Sequence, residues 1–341
     1  MPIRCGSTVA TKAYCGTNEI VRGYCGENLF FAPNDVRIKQ LTKTGATIAG
    51  RTGMGMVGSV ADGLIFGGWT NAAQNDFYQF VVTGDTVNVI ALTKTGAAIE
   101  GRNEPAVAGD STSGIIFGGN SHSSPGYSTF FGYARSGNTV TIRALTKAGS
   151  SISGRIGVGI VGDATTGIIF GGLSTANRKN DFYRYVVSGS TITLTALTRS
   201  GASIAGRYNP GMVGTTSTGI IFGGWNNPTR FNDFWRYVIS GNNVTITALT
   251  RSSGTITARN YPGMAGNATA GLIMGGNTGV ANNDFYTYSV SGNQVTVVSK
   301  TNVGDILPVR VQGIMVGTAN TGVIAGGVSS VNPISFYTYA A

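Results

Sequence analysis

The sequence predicts an all-β protein, a closed β-propeller of six blades, and three observations carry that expectation. The first is an arginine that returns at Arg51, Arg102, Arg155, Arg207, Arg259 and Arg310, at intervals of 51 to 53 residues. Self-similarity at a fixed period of this length marks a repeat architecture with one supersecondary unit per repeat. The second is a glycine-rich apolar run after each arginine, closed by a pair at Gly67-Gly68, Gly118-Gly119, Gly171-Gly172, Gly223-Gly224, Gly275-Gly276 and Gly326-Gly327. The third is an aromatic strand led by Asp76-Phe77-Tyr78, Asp181-Phe182-Tyr183, Asp233-Phe234-Trp235 and Asp284-Phe285-Tyr286. Thr129-Phe130-Phe131 and Ser335-Phe336-Tyr337 keep the aromatics without the aspartate, so the aromatics read as structural and the aspartate as optional.

The first repeat divides into four strand-length runs, residues 53–58, 63–67, 77–82 and 87–93. The third and fourth are joined by Thr83-Gly84-Asp85, and later by Ser136-Gly137-Asn138 and its equivalents, turn residues that accept positive φ in a tight hairpin. No stretch sustains a 3.6-residue apolar period, so the units are meanders and not βαβ units. The sixth repeat stops at Ala341 after its third strand, while Val36 to Thr42, reading VRIKQLT, matches the fourth-strand sequences ending in Leu92-Thr93, Leu145-Thr146, Leu197-Thr198 and Leu249-Thr250. An N-terminal strand is therefore predicted to complete the last blade and close the ring, leaving no open edge.

The Gly-Gly pair, the aromatic third strand and the arginine before the inner strand resemble kelch repeats over residues 36–341. The tryptophan that kelch repeats usually carry near the fourth strand is replaced here by Ile, Leu and Thr. The resemblance thus implies the fold and not membership of the eukaryotic kelch adaptors. Galactose oxidase also has a kelch-type propeller, but its copper site needs histidines, and the chain has His122 alone. A multi-histidine metal site is excluded by counting, and no cofactor is expected.

Charge narrows the partners. There are 24 Lys and Arg against 14 Asp and Glu, a net charge of +10, which attracts anions at long range. The basic residues form no run and no nucleic-acid module is visible, so acidic polysaccharide or lipopolysaccharide is a better partner than nucleic acid. With no apolar run of about 18 residues and no signal-peptide pattern at Met1, neither membrane insertion nor secretion is expected.

Residues 1–33 carry a finer repeat: Ile3-Arg4-Cys5-Gly6, Ala13-Tyr14-Cys15-Gly16 and Gly23-Tyr24-Cys25-Gly26, each followed by a polar turn and an apolar residue. Short β-hairpins satisfy that pattern, and a segment this small is expected to dock on something or to oligomerise. It resembles the N-terminal Tyr-x-Gly-x-x-x-Val repeats of bacteriophage tail proteins, which implies a place in the virion tail and contacts with other tail proteins through residues 1–33, while the odd number of cysteines argues against a fully paired disulfide framework and fits assembly in the reducing host cytoplasm. Cys5, Cys15 and Cys25 occupy equivalent places and read as small buried hydrophobes, while their spacing lacks the C-x-x-C of a zinc site.

In a propeller the first strand of each blade lines the channel, so the loops fall on two faces. The connections between strands one and two, and the Ser-Gly turns between three and four, are short and nearly uniform. On the other face the connections between strands two and three differ in every blade, the pattern of a rigid scaffold presenting recognition loops. These loops hold Trp69, His122, Tyr127, Arg178, Lys179, Trp225, Arg230 and Phe231 among many Asn, Ser and Thr. Rings stack on sugar faces while amides and hydroxyls bond sugar hydroxyls, so Trp69, His122, Tyr127, Arg178, Trp225, Arg230 and Phe231 are the candidate ligand-binding residues.

The connections leaving strand four begin with Lys43, Lys94, Lys147, Arg199, Arg251 and Lys300 on that same face. With Arg51, Arg102, Arg155, Arg207, Arg259 and Arg310 they would offer several cations to an anion over the channel mouth. The competing expectation is that each of the six arginines ties strands together, through the aspartate of the Asp-Phe pair. No enzyme is expected: a glycosidase needs two carboxylates facing across a cleft, and the local pair, Glu100 and Glu104 beside Arg102, lacks a partner base. Neither a G-x-S-x-G elbow with its partners, nor a P-loop, nor a sialidase-type Ser-x-Asp-x-Gly-x-x-Trp box is present. Residues 1–33 as a docking segment and 34–341 as propeller thus describe a phage tail fibre or tail-tip protein that binds host-surface glycan without catalysis, as a homo-oligomer in the particle. A cellular kelch-like lectin or protein-interaction module, and a virion decoration protein, are the alternatives.

Overall fold

An apolar run without polar alternation needs cover on both faces, and the second strand of each blade is such a run. Leu64-Ile65-Phe66, Ile115-Ile116-Phe117, Ile168-Ile169-Phe170 and Ile220-Ile221-Phe222 are all fully buried. Successive side chains of a strand point to opposite faces, so Ile65 packs toward blade six while Leu64 and Phe66 pack toward blade two. Among the described residues the core falls into six clusters, each joining two adjacent blades.

A computed structural model describes residues 34–121, 126–175, 177–327 and 334–341, with the backbone of four short strands between 14 and 31. Blade one comprises Gly55–Gly58, Asp62–Phe66, Phe77–Thr83 and Thr86–Ala91, paired antiparallel in that order. The same meander recurs to blade six, where Ile314–Gly317, Thr321–Ala325 and Phe336–Ala340 are completed by Asp35–Gln40, with Ile38 opposite Tyr339. The ring is therefore closed by the N-terminal strand, as predicted. In blades two to six the tyrosine of strand three (Tyr133, Tyr185, Tyr237, Tyr288, Tyr339) donates its hydroxyl hydrogen to a backbone carbonyl of the loop between strands one and two, at 2.7 to 2.8 Å.

One feature of the rim is absent from the sequence reading. Past strand four, Thr42–Gly45 runs parallel to Thr86–Val89 of blade one, Thr93–Gly96 parallel to Thr139–Ile142 of blade two, and so on round to Thr301–Gly304 beside Asp35–Ile38. Twist accumulated across four strands turns the outer strand along the rim, where it meets its neighbour. Each blade so lends a fifth strand to the next, and no fourth strand is left as an edge. Lys43, Lys94, Lys147, Arg199 and Arg251 lie on these rim strands, not over the channel mouth, and the sixth equivalent is Asn302, not Lys300. Lys94 Nζ and Asn302 Nδ2 donate to the carbonyls of Asn75 and Asn283 at 2.9 and 2.7 Å. Arg184 and Arg236 add ties between blades, donating to Asn242 Oδ1 and Asn293 Oδ1 at 2.6 and 2.7 Å.

In the N-terminal segment Tyr14–Cys15 pairs with Asn18–Glu19 and Gly23–Cys25 with Asn28–Phe31, two hairpins of the kind its finer repeat predicts. Residues 3–9 and the cysteine side chains lie outside the described residues.

Candidate functional site at the channel mouth

The variable loops and the start of each inner strand share one face. Thr52 bridges Trp69, Ile156 bridges Leu173, Tyr208 bridges Trp225, and Asn260 bridges Asn277. Asn75, Asn180, Asn232 and Asn283, at the ends of the variable loops, donate to the carbonyls of Ile99, Ile204, Ile256 and Leu307, holding the connection to the next blade against the same face.

The six arginines form the floor of this face and are at most 3% exposed. Each sends Nη1 to the first carbonyl of its Gly-Gly pair, at 2.6 to 3.1 Å in blades one to five and also in blade six. Arg51, Arg155, Arg207 and Arg259 grip Asp76, Asp181, Asp233 and Asp284 with both ends of the fork, the shorter contacts being 2.5 to 2.7 Å. Arg102 bonds Thr129 Oγ1 at 2.7 Å and reaches Glu100 at 3.4 Å, with the rings of Tyr127 and Phe131 4.6 and 5.0 Å from its guanidinium. Arg310 faces Tyr337 at 5.0 Å. The tie between strands is thus what these arginines make. The anion expected over the channel mouth finds none of them, because their donors face carbonyls, aspartates and aromatic rings beneath the surface.

What does reach the mouth is a ring two residues beyond the arginines, which the sequence reading missed. Gly53, Glu104, Gly157, Asn209, Tyr261 and Gln312 all have φ between 50° and 63°. That left-handed conformation suits glycine and strains other residues, and such strain concentrates at functional sites. Here four polar side chains adopt it around one channel. Backbone bonds link the ring, from Glu104 N to Gly53 O, Asn209 N to Gly157 O and Tyr261 N to Asn209 O, at 2.7 to 3.0 Å. Pro105, Pro210 and Pro262 follow three of the four and fix the next φ.

Glu104 crosses the channel. Its Oε2 accepts from Tyr208 Oη at 2.5 Å and Asn209 Nδ2 at 3.2 Å, and its Oε1 accepts from Tyr261 Oη at 2.8 Å and Gln312 Nε2 at 2.7 Å. The flanking Gly53 and Gly157 leave room for this, since a Cβ on Gly53 would lie 3.0 Å from Glu104 Cγ. Burial raises the Glu104 carboxyl above the ordinary glutamate range, and the four donors oppose that only in part. Proton counting agrees. The hydroxyls of Tyr208 and Tyr261 are also 2.8 Å apart, so three oxygen contacts close a loop, and two phenols supply only two hydrogens. In the protonated form the third comes from Glu104 itself: Oε2 then donates to Tyr208 Oη, Tyr208 donates to Tyr261, and Tyr261 donates to Oε1, in place of the two phenols both donating to the carboxylate.

This fixes a sign. The folded chain keeps a proton that the unfolded chain releases, so Glu104 contributes fully below the ordinary glutamate pKa and loses that contribution as pH rises through its raised value. Glu104→Gln should accordingly flatten the decline of Tm that sets in as pH rises above the ordinary glutamate range. Parallel Tm profiles for variant and parent would show that Glu104 does not titrate in this way.

Of the sequence-predicted ligand residues, Trp225, Arg178 and Arg230 are brought together. The Arg178 guanidinium lies 4.8 Å from the Trp225 ring, Trp225 packs on Tyr208 at 6.3 Å, and Tyr208 meets Tyr261 edge-on at 5.7 Å. Arg230 Nε donates to Asn260 Oδ1 at 3.2 Å. An aromatic path therefore runs from the loop of blade four to the Glu104 cluster. Trp69 stands in blade one against Thr52, apart from that path. Tyr127 and Phe231 are half-buried covers over Arg102 and Arg207, at 4.6 and 4.3 Å. His122 lies outside the described residues. A cavity of about 160 Å³ lies at the ring, lined by its six residues and by Met54, Pro105, Val158, Pro210 and Pro262 among others. The sequence signal that could have found the ring is the variability of the two residues after each arginine (Thr-Gly, Asn-Glu, Ile-Gly, Tyr-Asn, Asn-Tyr, Val-Gln) inside an otherwise constant repeat.

Comparison with known proteins agrees with the architecture. A family model described as the KLHDC2/KLHL20/DRC7 Kelch-repeats domain matches residues 106–327, and the match holds without the fourth-strand tryptophan. No curated protein matches the sequence. Among solved structures, a chain in a cryo-EM structure of RAG in complex with one melted and one unmelted RSS is similar, with a TM-score of 0.64 at 14% identity, covering 89% of this chain and 99% of that one. The structure of YjhT is similar with a TM-score of 0.62 at 12% identity, covering 85% of this chain and 94% of that one. At such identities the likeness concerns the fold.

Proposed function

From the premise that the chain belongs to the Kelch-repeat family, whose propellers are generally non-enzymatic interaction scaffolds, we propose that it is a receptor-binding protein of a bacteriophage tail that recognises host-surface glycan. The observation that carries the binding half is the convergence of Arg178, Trp225, Tyr208, Asn209, Tyr261, Gln312 and Glu104 on one face, beside loops that differ in every blade. Aromatic rings next to amides and phenols form the surface that sugars require, an apolar face for stacking and donors for hydroxyls. The resemblance of residues 1–33 to tail-protein repeats supports the virion half, with docking on other tail proteins and homo-oligomer formation in the particle.

The test is binding of the full chain to intact bacterial cells and to an array of bacterial surface glycans, at low and high salt. Saturable binding that falls at least about tenfold in a Trp69→Ala, Trp225→Ala variant with unchanged unfolding midpoint is the expected result, as loss of aromatic stacking implies. A wild-type chain that binds no cell and no glycan would sink the proposal. Membership of the Kelch-repeat family itself favours a second reading, a protein-interaction module, and capture of a defined protein partner by the same face with no glycan binding would decide for it.

A further inference from the structure

We infer that the left-handed ring at the channel mouth is the seat of one neutral, hydroxyl-bearing sugar unit, held by the Asn209 and Gln312 amides and the Tyr261 phenol, with the Trp225–Tyr208 pair as its wall. This rests on the receptor-binding reading above and says which part of the glycan enters the channel.

The chemistry of the ring selects the ligand. Neither of the two residues after any of the six arginines is a lysine or arginine, so an anionic group finds no cation there. Glu104 meets only neutral donors, and both of its oxygens are already taken up by four of them, so it leaves no open acceptor face for a cationic ligand either. What remains is hydrogen-bonding capacity. Asn209 and Gln312 each give one amide nitrogen to Glu104, and their carbonyl oxygens make no hydrogen bond among the described residues. Asn209 thus keeps one N–H and one carbonyl oxygen, a donor and an acceptor side by side, and Gln312 keeps its carbonyl oxygen, the complement of a sugar hydroxyl. The cavity of about 160 Å³ is smaller than the ~300–1,000 Å³ of a site that encloses a drug-sized ligand, so it takes one unit of a longer chain. Acidic groups further along that chain would meet Arg178 and Arg230 outside the ring.

The left-handed backbone makes the ring separable from folding. Blades one and three already hold glycine at the equivalent positions, so glycine fits the site and relieves the conformation. Asn209→Gly and Gln312→Gly together relieve that conformation but withdraw two donors from Glu104, opposing effects that should leave a cooperatively folding chain while removing the proposed sugar contacts. The experiment is the full chain on the bacterial glycan array, comparing wild type, this double variant and the Trp69→Ala, Trp225→Ala variant. A double variant that folds normally and loses at least about tenfold in affinity for glycans with a neutral terminal unit is the expected result, as two lost hydrogen bonds imply. Full affinity in the double variant, with loss confined to the tryptophan variant, would overturn the seat while leaving the receptor reading intact. Absence of wild-type binding to every glycan would remove both.

Discussion

Asp233→Ala is expected to destabilise the propeller by about 3 kcal/mol, the lower end of the range for breaking a buried ion pair by removing one partner. Arg207 is fully buried, and its fork contacts both carboxylate oxygens of Asp233, at 2.7 and 3.1 Å. The variant leaves that guanidinium with the Gly223 carbonyl at 2.8 Å, the Ala205 carbonyl at 3.3 Å and the Phe231 ring at 4.3 Å. The lower end applies because the Asp233 side chain is 36% exposed, so water can replace part of what the carboxylate supplied. Blade two indicates how the loss is softened. Thr129 stands where the aspartate would be and accepts from Arg102 at 2.7 Å, so Asp233→Thr should cost less than Asp233→Ala. Chemical unfolding of parent and both variants measures this. An alanine variant within about 0.5 kcal/mol of the parent, the usual range for an inconsequential surface change, would show that the pair contributes little.

A chain that begins at Thr42 is expected to lose the closed ring altogether. Val36, Ile38 and Leu41 are 0%, 1% and 5% exposed, and three such side chains at about 1.5–3 kcal/mol each represent a stabilisation comparable with that of a whole domain. The deletion also opens two ladders at once, Asp35–Gln40 against Phe336–Ala340 and against Thr301–Gly304. Unpaired edges on blades five and six invite association with other chains. Light scattering and thermal unfolding of the truncated chain should report aggregates and no cooperative transition near the parent midpoint. Addition of a peptide spanning residues 34–41 should restore part of the transition. A monomeric truncated chain with the parental midpoint would mean that the remaining blades close the ring without this strand.

The amino-acid sequence by itself determined the all-β class, the six repeats, the four-stranded meander and the closure by an N-terminal strand, read at Val36 to Thr42 and found at Asp35–Gln40. These features are periodic or local, because a glycine at a turn and an apolar run buried on both faces leave the same trace in every blade. It also identified the face on which the loops vary, and it placed Trp225 and Arg178 among the residues to watch. Other outcomes only the tertiary structure decided. Whether Arg207 points at solvent or at Asp233 depends on which surface the next blade covers, and both outcomes have the same sequence. The rim strands Thr42–Gly45 and Thr93–Gly96 pair with residues more than 40 positions away, through backbone bonds that leave no side-chain signature. The Glu104 cluster is the clearest case. Glu104, Tyr208, Tyr261 and Gln312 are separated by as many as 208 residues and belong to four different blades, and their types share no motif. They meet because six turns of one conformation converge on a channel only a few residues wide, where side chains from opposite blades reach across and bond to each other.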